Sequence, residues 1–267
     1  MSKVNVVTVT YNDLHKLNWL HLVSEKNYDF TLYSKDNNIN IGEFEKRQVE
    51  TSDYLIEQTT ISNYGKCEYA FLYHIINNYN DLADHTVFTK IHWYEQGINF
   101  YDLINNCANY DYYEVGMGLH SYVWYNNDNL HLKEVPGDTY INVDTPYVTG
   151  NPFNFDGRAK RWEVFEDWYN HIFPDRNNVP GKIYAFDHGP CFSVSRELIR
   201  RHPISVYEYL LERFHPSSKA WDFTLDNDER KTLDHVAQHY HDNLVRFHRL
   251  LFTHGVDQNN FKIQQYF

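Results

Sequence analysis

Cationic and titratable side chains follow two segments that are predicted to be buried strands. Lys35 follows the apolar segment at 28–33, and Lys90 and His92 follow the segment at 85–89. Ligands of open parallel sheets bind beyond the carboxyl ends of the strands. A lysine at such an end can neutralise a phosphate as a point charge. The sequence therefore predicts an anion-binding edge that includes Lys35, Lys90 and His92.

The first predicted strand, at 4–10, also ends in polar residues. Thr10, Tyr11, Asn12 and Asp13 offer a hydroxyl, an aromatic ring, an amide and a carboxylate in succession. Asn12 or Asp13 could bind a base or a hydroxyl group, and Tyr11 could stack on a planar ring. The alternative is that these residues form only a turn with an Asx cap.

Asp187 and His188 are the candidates for acid–base chemistry. They precede Gly189, where the missing side chain lets a substrate approach the backbone closely. A carboxylate or an imidazole beside a bound substrate can take a proton from an attacking hydroxyl as a general base. Asp187 is the first candidate for that base and His188 the second. The alternative is a loop aspartate whose carboxylate accepts hydrogen bonds from backbone amides.

Arg196 and Arg200 form a candidate anion clamp. They lie four residues apart at the start of a predicted helix that Ser195 can cap, so they share one face. The positive end of a helix attracts phosphate. The alternative is a solvated helix face, on which the arginines pair with Glu197 or Glu208.

The segment from 110 to 125 is rich in tyrosine and tryptophan. Aromatic rings present apolar faces with a polar handle, and exposed rings on a loop suit a carbohydrate ligand. Tyr112, Tyr113 and Trp124 are therefore candidate contacts for a carbohydrate. The alternative is an ordinary packed loop.

Two motifs in the last third of the chain have the spacing of metal sites. His235 and His239 lie four residues apart on a predicted helix, with His248 further along, and this spacing could bind zinc. The glutamate that follows the first histidine of a metalloprotease helix is absent, so a polar helix face is the simpler interpretation. The segment 226–228 has the form D-x-D but precedes a predicted helix, where an acidic turn would cap it. We assign no metal ligand.

The elements that must position these residues alternate between strand and helix. Strands are predicted at 4–10, 28–33, 85–89, 182–186 and 191–194, and helices at 14–24, 62–79, 100–107, 159–173, 196–214 and 229–252. Such alternation favours an α/β fold with a mostly parallel, Rossmann-like sheet flanked by helices. The region at about 111–182 is predicted to be a long, largely irregular excursion, and excursions of this kind are usually functional.

Length and composition bound the class of protein. The chain has 267 residues, enough for one well-packed domain over 1–267, and it lacks an apolar run long enough for a membrane helix or a signal peptide. Cys67, Cys107 and Cys191 are widely spaced, which favours buried thiols in a reducing compartment. The net charge of −12 disfavours a nucleic-acid partner but permits a local basic pocket for a small anion.

Three segments together resemble a known family. They are Val6-Val7-Thr8-Val9-Thr10-Tyr11-Asn12-Asp13 with Trp19-Leu20, the stretch from Asn63-Tyr64-Gly65-Lys66-Cys67-Glu68-Tyr69 through to Thr86-Val87-Phe88, and Gly189-Pro190-Cys191-Phe192-Ser193-Val194-Ser195-Arg196-Glu197-Leu198-Ile199. Their order and spacing resemble an uncharacterised glycosyltransferase-like family, a domain of unknown function found in fungi, bacteria and large DNA viruses. The third segment is also similar to the G-x-x-F-x-V-S-R stretch of core-2 type glycosyltransferases.

The resemblance implies a GT-A-like fold that transfers a sugar from a nucleotide-sugar donor to a saccharide or glycoprotein acceptor. Asp187 and His188 would then be the catalytic candidates, and Tyr112, Tyr113 and Trp124 would meet the acceptor. The donor would be bound by Thr10, Tyr11, Asn12, Asp13, Lys35, Lys90, His92, Arg196 and Arg200. We expect neither a nucleic-acid partner nor a membrane span. We expect the protein to lie in the cytoplasm, which would be the host cytoplasm if the chain is viral.

One departure from the pattern of this fold concerns the metal. Many GT-A enzymes hold manganese or magnesium on the donor diphosphate with a D-x-D motif after the third or fourth strand. Here Thr89-Lys90-Ile91-His92-Trp93 stands at that place, with no carboxylate before Glu95. We therefore favour metal-independent transfer, with Mn or Mg as the alternative. A non-catalytic carbohydrate-binding protein on the same fold and a His-dependent metal hydrolase are the rival functions.

Overall fold

The structure is a computed structural model that describes residues 2–11, 13–40, 43–51, 54–64, 66–91, 99–116, 119–126, 129–136, 171–173, 183–187, 191–214, 248, 251–252 and 260–265. Within these residues the chain forms eleven strands, which are β1 Val4–Thr10, β2 Asp29–Asp36, β3 Phe44–Glu50, β4 Leu55–Ser62, β5 His85–Lys90, β6 Tyr112–Gly116, β7 Leu119–Asn126, β8 Asn129–Pro136, β9 Ile183–Asp187, β10 Cys191–Ser195 and β11 Phe261–Gln265. The helices with described bounds are a 3-10 helix, Leu14–Trp19, and the α-helices α1 Leu20–Glu25, α2 Lys66–Asn78, α3 Phe100–Asn106, α4 Arg196–Arg200 and α5 Ile204–Glu212.

Eight strands form one mixed sheet in the order β11-β6-β10-β5-β1-β2-β4-β3. The centre is parallel, because β1 pairs in parallel with both β2 and β5, and β2 pairs in parallel with β4. β3 and β10 run against their neighbours, so β6 points the same way as β5, and β11 pairs in parallel with β6. We call the edge where β1, β2, β4, β5 and β6 end the carboxyl edge, and the opposite edge the amino edge.

Helices bury both faces of the sheet. Successive side chains of a strand point to opposite faces, and in β1 they enter two different apolar clusters. Val7 and Val9 contribute to the cluster that contains the α2 residues, while Val4 and Val6 join the cluster of the 3-10 helix, α1 and α3. A strand buried on both sides is almost continuously apolar, which is why the sequence signal at 4–10 is strong.

The predicted α/β class with a helix-flanked sheet is confirmed, but the sheet is mixed around a parallel centre and not mostly parallel, because β3 and β10 pair antiparallel with their neighbours. The strands predicted at 4–10, 28–33, 85–89 and 191–194 are found as β1, β2, β5 and β10 with small shifts of their bounds. β3 and β4 were not predicted. β3 lies at the end of the sheet and is exposed at six of its seven positions, so it carries charged residues that conceal a strand signal.

The prediction of an irregular excursion from 111 onward is wrong for three segments. The residues at 112–116, 119–126 and 129–136 are the strands β6, β7 and β8. β7 and β8 pair antiparallel, with Asn126 opposite Asn129, and β9 completes a second, three-stranded sheet in the order β8-β7-β9. Two residues separate β7 from β8, and a two-residue connection that begins with asparagine is a usable hairpin signal.

The three thiols agree with the compositional analysis. Cys67, Cys107 and Cys191 are all buried, and no disulfide joins them. In the part of the chain that the structure describes, no helix is both long and apolar enough to cross a bilayer.

Candidate functional site

The sheet reverses its strand order between β1 and β5. From β1 the chain proceeds to β2 on one side, whereas β5 pairs with β1 on the other side. At such a switch point the connections leave the strand ends in opposite directions, and a crevice opens outside the carboxyl ends. The residues that follow β1 and β5 therefore form the candidate site.

Thr10 and Asp13 close the turn that follows β1. The Thr10 hydroxyl donates to Asp13 Oδ1 over 2.6 Å, and the Tyr11 amide donates to the same oxygen over 3.0 Å. Burial alone would raise the pKa of Asp13, but these hydrogen bonds outweigh it and the pKa is lowered. This segment therefore forms the turn that was the alternative to a binding role, and Asp13 Oδ1 accepts hydrogen bonds from the protein's own donors.

Three side chains point from the carboxyl edge toward the first turn of α2. Each lies two residues after a strand residue that belongs to the apolar cluster with the α2 residues. Because alternate side chains of a strand point to the same face, each of the three points to the face that α2 covers. The pairs are Val9 and Tyr11, Tyr33 and Lys35, and Phe88 and Lys90. Cys67 and Glu68 of α2 lie opposite them and interact electrostatically with Tyr11 and Lys35. We call Tyr11, Lys35, Cys67, Glu68 and Lys90 the lysine cluster.

Lys35 is almost wholly buried, with 5% of its surface exposed. Its Nζ donates to the carbonyl of Tyr64 and lies 4.4 Å from the centre of the Tyr69 ring. Burial lowers the pKa of Lys35 to about 7, although Cys67 and Glu68 act to raise it. Lys35 therefore changes its charge near neutral pH and ties β2 to the segment that leads into α2.

Lys90 and Glu68 are buried beside the same helix turn. Burial, reinforced by Glu68, raises the pKa of the Cys67 thiol to about 12, while Lys90 and Lys35 act in the opposite direction. Glu68 stands in the first turn of α2, where a carboxylate is stabilised by the helix end. The cluster thus combines two cationic groups and one carboxylate in a partly desolvated space.

Tyr11 borders this cluster and the solvent at once. Its residue is 42% exposed. Burial of the hydroxyl, with smaller effects from Cys67, Glu68 and Asp13, raises the pKa of Tyr11 above its usual range. The ring therefore presents an accessible surface, while its hydroxyl stays protonated.

The structure does not bring Arg196 and Arg200 to this site. β10 runs antiparallel to β5, so Arg196, which follows β10, lies at the amino edge. Its guanidinium contacts Asp84 at 2.9 Å, and Arg200 donates to the carbonyls of Tyr79 and Asn80. Both arginines bind the connection between α2 and β5, and the clamp prediction fails because the direction of β10 was not foreseen.

Tyr112 and Tyr113 are fully buried in β6. Tyr112 stacks on Phe192 with ring centres 5.7 Å apart, and its hydroxyl donates to Glu114 over 2.5 Å. The hydroxyl of Tyr113 donates to Asp102 of α3. Neither ring is available to an acceptor, because both rings are packed in the core.

The remaining candidates differ in how far they are described. Asp187 is the last residue of β9, opposite His120 of β7, and Trp124 lies in β7 opposite Ile183. Asn12, His92 and His188 lie outside the described residues, as do His235, His239 and the segment 226–228.

His248 is buried and stacks on Phe192 with ring centres 4.5 Å apart. Within the described residues, no group of three or more His, Cys, Asp or Glu could hold a metal ion.

The sequence analysis assigned no role to Cys67 and Glu68. Lys35 was placed at the carboxyl edge from its strand alone, and the helix that follows β4 was not connected with it. A signal was present, because α2 follows β4 after only three residues and its first turn must therefore begin at the carboxyl edge. Without β4 among the predicted strands, that inference was not possible.

A family comparison covers most of these elements. The sequence profile of a family described as "Protein of unknown function (DUF3431)" matches residues 6–224. The chain belongs to this family. No curated protein and no solved structure matches the chain. The DUF3431 segment includes every residue of the lysine cluster, all of β5 and all of β1 except its first two residues.

Proposed function

We propose that this protein is a glycosyltransferase with a GT-A-like sheet, which moves a sugar from a nucleotide-sugar donor to a saccharide or glycoprotein acceptor. One observation carries the proposal: the lysine cluster converges on the carboxyl edge beside the switch point between β1 and β5. A crevice at that place is where open α/β sheets bind nucleotides. The sugar part of the proposal rests on the resemblance of the three sequence segments.

The cluster has the chemistry to bind a diphosphate without a metal ion. Lys90 supplies a positive charge, and Lys35 takes up a proton when an anion arrives, because its pKa lies at about 7. A lysine ammonium has three donors, so Lys35 can keep its bond to Tyr64 and still donate to a phosphate oxygen. The exposed ring of Tyr11 is suited to stack on the base, and Thr10, Asn12, Asp13 and His92 complete the donor contacts in this proposal.

For an inverting transfer we propose Asp187 as the general base, with His188 beside it. β10 begins at the carboxyl edge with Cys191, four residues after Asp187, so their Cα atoms lie at most about 14 Å apart. The acceptor hydroxyl would give its proton to the Asp187 carboxylate as its oxygen attacks the anomeric carbon. The nucleoside diphosphate would leave with its electron pair, stabilised by Lys90. Trp124 remains the proposed acceptor contact.

Donor binding is tested by thermal unfolding of the full chain with UDP, GDP, CMP and their sugars, with manganese and with a chelator. We expect one nucleotide series to raise Tm equally in both conditions, since a ligand at 100 times its Kd stabilises by about 2.7 kcal/mol. Lys90→Gln should lose most of that rise. Lys3→Gln, at the amino edge, is the matched control and should keep it. The proposal is wrong if no nucleotide raises Tm.

Catalysis is tested with Asp187→Asn and the donor that gives the largest rise in Tm. The variant should bind the donor as tightly as the natural protein does, while its transfer or slow hydrolysis of the nucleotide sugar falls at least 100-fold, in line with the loss of a general base. Release of the nucleotide is the measurement. A natural protein that binds the donor but releases no nucleotide would favour the non-catalytic carbohydrate-binding alternative.

A further inference from the structure

A cavity lies on the opposite face of the sheet from α2. It has a volume of about 450 Å³ and lies between the 3-10 helix with α1 on one side and Glu50, Thr51 and Tyr54 on the other. Small-molecule sites have volumes of roughly 300–1,000 Å³. Leu17, which lines it, belongs to the apolar cluster of α1 and α3, whereas the lysine cluster adjoins α2. The cavity is therefore separate from the proposed donor site.

The walls of this cavity are held by local hydrogen bonds. The Thr51 amide donates to the carbonyl of Tyr54 over 2.9 Å, and the Tyr54 amide donates back to the Thr51 hydroxyl over 3.1 Å. On the other wall, His21 Nδ1 lies 2.8 Å from the Asn18 carbonyl. A carbonyl only accepts, so Nδ1 of His21 donates this hydrogen bond.

The lining restricts the chemical class of the ligand. Glu50 carries negative charge, and no lysine or arginine is found among the described residues of the lining, which disfavours an anion. A cation would use only acceptors and would leave the Asn18 amide donors without a role. A hydroxyl group both donates and accepts, as the side chains of His15, Asn18 and His21 together can match.

We infer that this cavity is a saccharide-binding site. Leu14 and Tyr54 line the cavity, are only partly buried and offer apolar surface to the C–H face of a pyranose, and both pack on the same core cluster. The polar groups around them are Glu50, Asn18, His15 and His21, which offer planar donors and acceptors to its hydroxyls. The inference does not depend on the proposed function, because the site is on the other face of the sheet and requires no nucleotide.

The test is saturation-transfer NMR on the full chain with methyl glycosides of glucose, galactose, mannose, xylose, fucose and N-acetylglucosamine. We expect transfer to at least one glycoside. Glu50→Gln and Asn18→Ala should each weaken its affinity about tenfold, since loss of a hydrogen bond to a sugar hydroxyl costs this much or more. Both residues are exposed, so neither substitution threatens the core. Glu45→Gln, an exposed glutamate of the same strand β3 outside the cavity, is the matched control and should bind normally.

Three results separate this inference from its rivals. Binding that survives Lys90→Gln but weakens in Glu50→Gln supports it, even if the proposed transferase function fails. Binding lost in Lys90→Gln and unchanged in Glu50→Gln would assign the sugar to the carboxyl edge and overturn the inference. The absence of saturation transfer to all six glycosides at about 10 mM would also overturn it.

Discussion

At the scale of single residues, Lys35 links the fold to the proposed chemistry. Its amino group is enclosed by the Tyr64 carbonyl and the Tyr69 ring, away from bulk water. The same burial that lowers its pKa prepares it to respond to an incoming anion, because a negative charge would restore the protonated form. A residue that holds β2 to the α2 connection in the empty state would thus gain a charge in the bound state.

The pH dependence of stability tests this description of Lys35. Its folded pKa of about 7 lies below the usual value of 10.5. Between these values the unfolded chain holds more protons, so the free energy of unfolding rises with pH across this window, by up to about 1.4 kcal/mol per pH unit. Lys35→Met should lose that rise in urea unfolding at pH 7, 8 and 9. Lys3→Met, with an exposed side chain, should keep it, and equal slopes in all three proteins would contradict the assignment.

Arg196 and Arg200 show what spacing can and cannot predict. Their i, i+4 separation indicated a shared face, and the structure has both side chains directed to one connection, at 79–84. The edge of the sheet at which that face lies depends on the direction of β10, which is decided by its partners β5 and β6. Pairing direction arises from contacts distant in sequence, so the local pattern could not reveal it.

At the scale of elements, α2 is held on the sheet by a buried polar contact. The hydroxyl of Tyr33 in β2 lies 3.1 Å from Nδ1 of His74 in α2. The side-chain amide nitrogen of Asn78, which can only donate, lies 3.4 Å from the same nitrogen, so Nδ1 is the acceptor. His74 is 3% exposed, and burial lowers its pKa to about 4. The neutral imidazole that accepts this bond is therefore the stable form through most of the acidic range.

This contact predicts a loss of stability in mild acid. The folded pKa of His74 is below the usual 6.5, so the unfolded state binds more protons between pH 6.5 and 4, and stability falls as pH falls through that window. His74→Gln keeps an acceptor without titrating and should flatten the decline. His15→Gln, an exposed matched control, should not. Urea unfolding at pH 7, 6 and 5 measures the effect, and a parallel decline in both variants would disprove it.

The elements that the sequence predicted well are those buried by helices on both faces. β1, β2 and β5 have β-branched or apolar runs that no exposed face interrupts. β3 escaped prediction because nearly all of its positions are exposed, and β4 because many of its buried positions carry polar residues. β6 escaped because its tyrosines resembled a loop. The candidate site followed the same division: Lys35, Lys90 and Tyr11 were found from strands, while Glu68 required the β4–α2 connection.

At the scale of the whole molecule, histidine content governs the charge. The chain has a net charge of −12 at pH 7 with 16 neutral histidines, and a pI of about 5.7. Protonation of histidines with ordinary pKa values near 6.5 removes much of the negative charge between pH 7.5 and 6. We expect solubility to fall toward a minimum near the pI, since low net charge promotes association. Turbidity across this range measures it, and a constant solubility down to pH 5.7 would contradict the argument.

The position of β10 has a consequence for biosynthesis. β10 is inserted between β5 and β6, although it follows both of them in the chain. A ribosome therefore releases β5 and β6 well before the strand that joins them, and the edge of β5 keeps its amide and carbonyl groups unsatisfied until Ser195 emerges. Nascent chains of intermediate length expose that edge, and we expect them to aggregate more readily than the full-length chain.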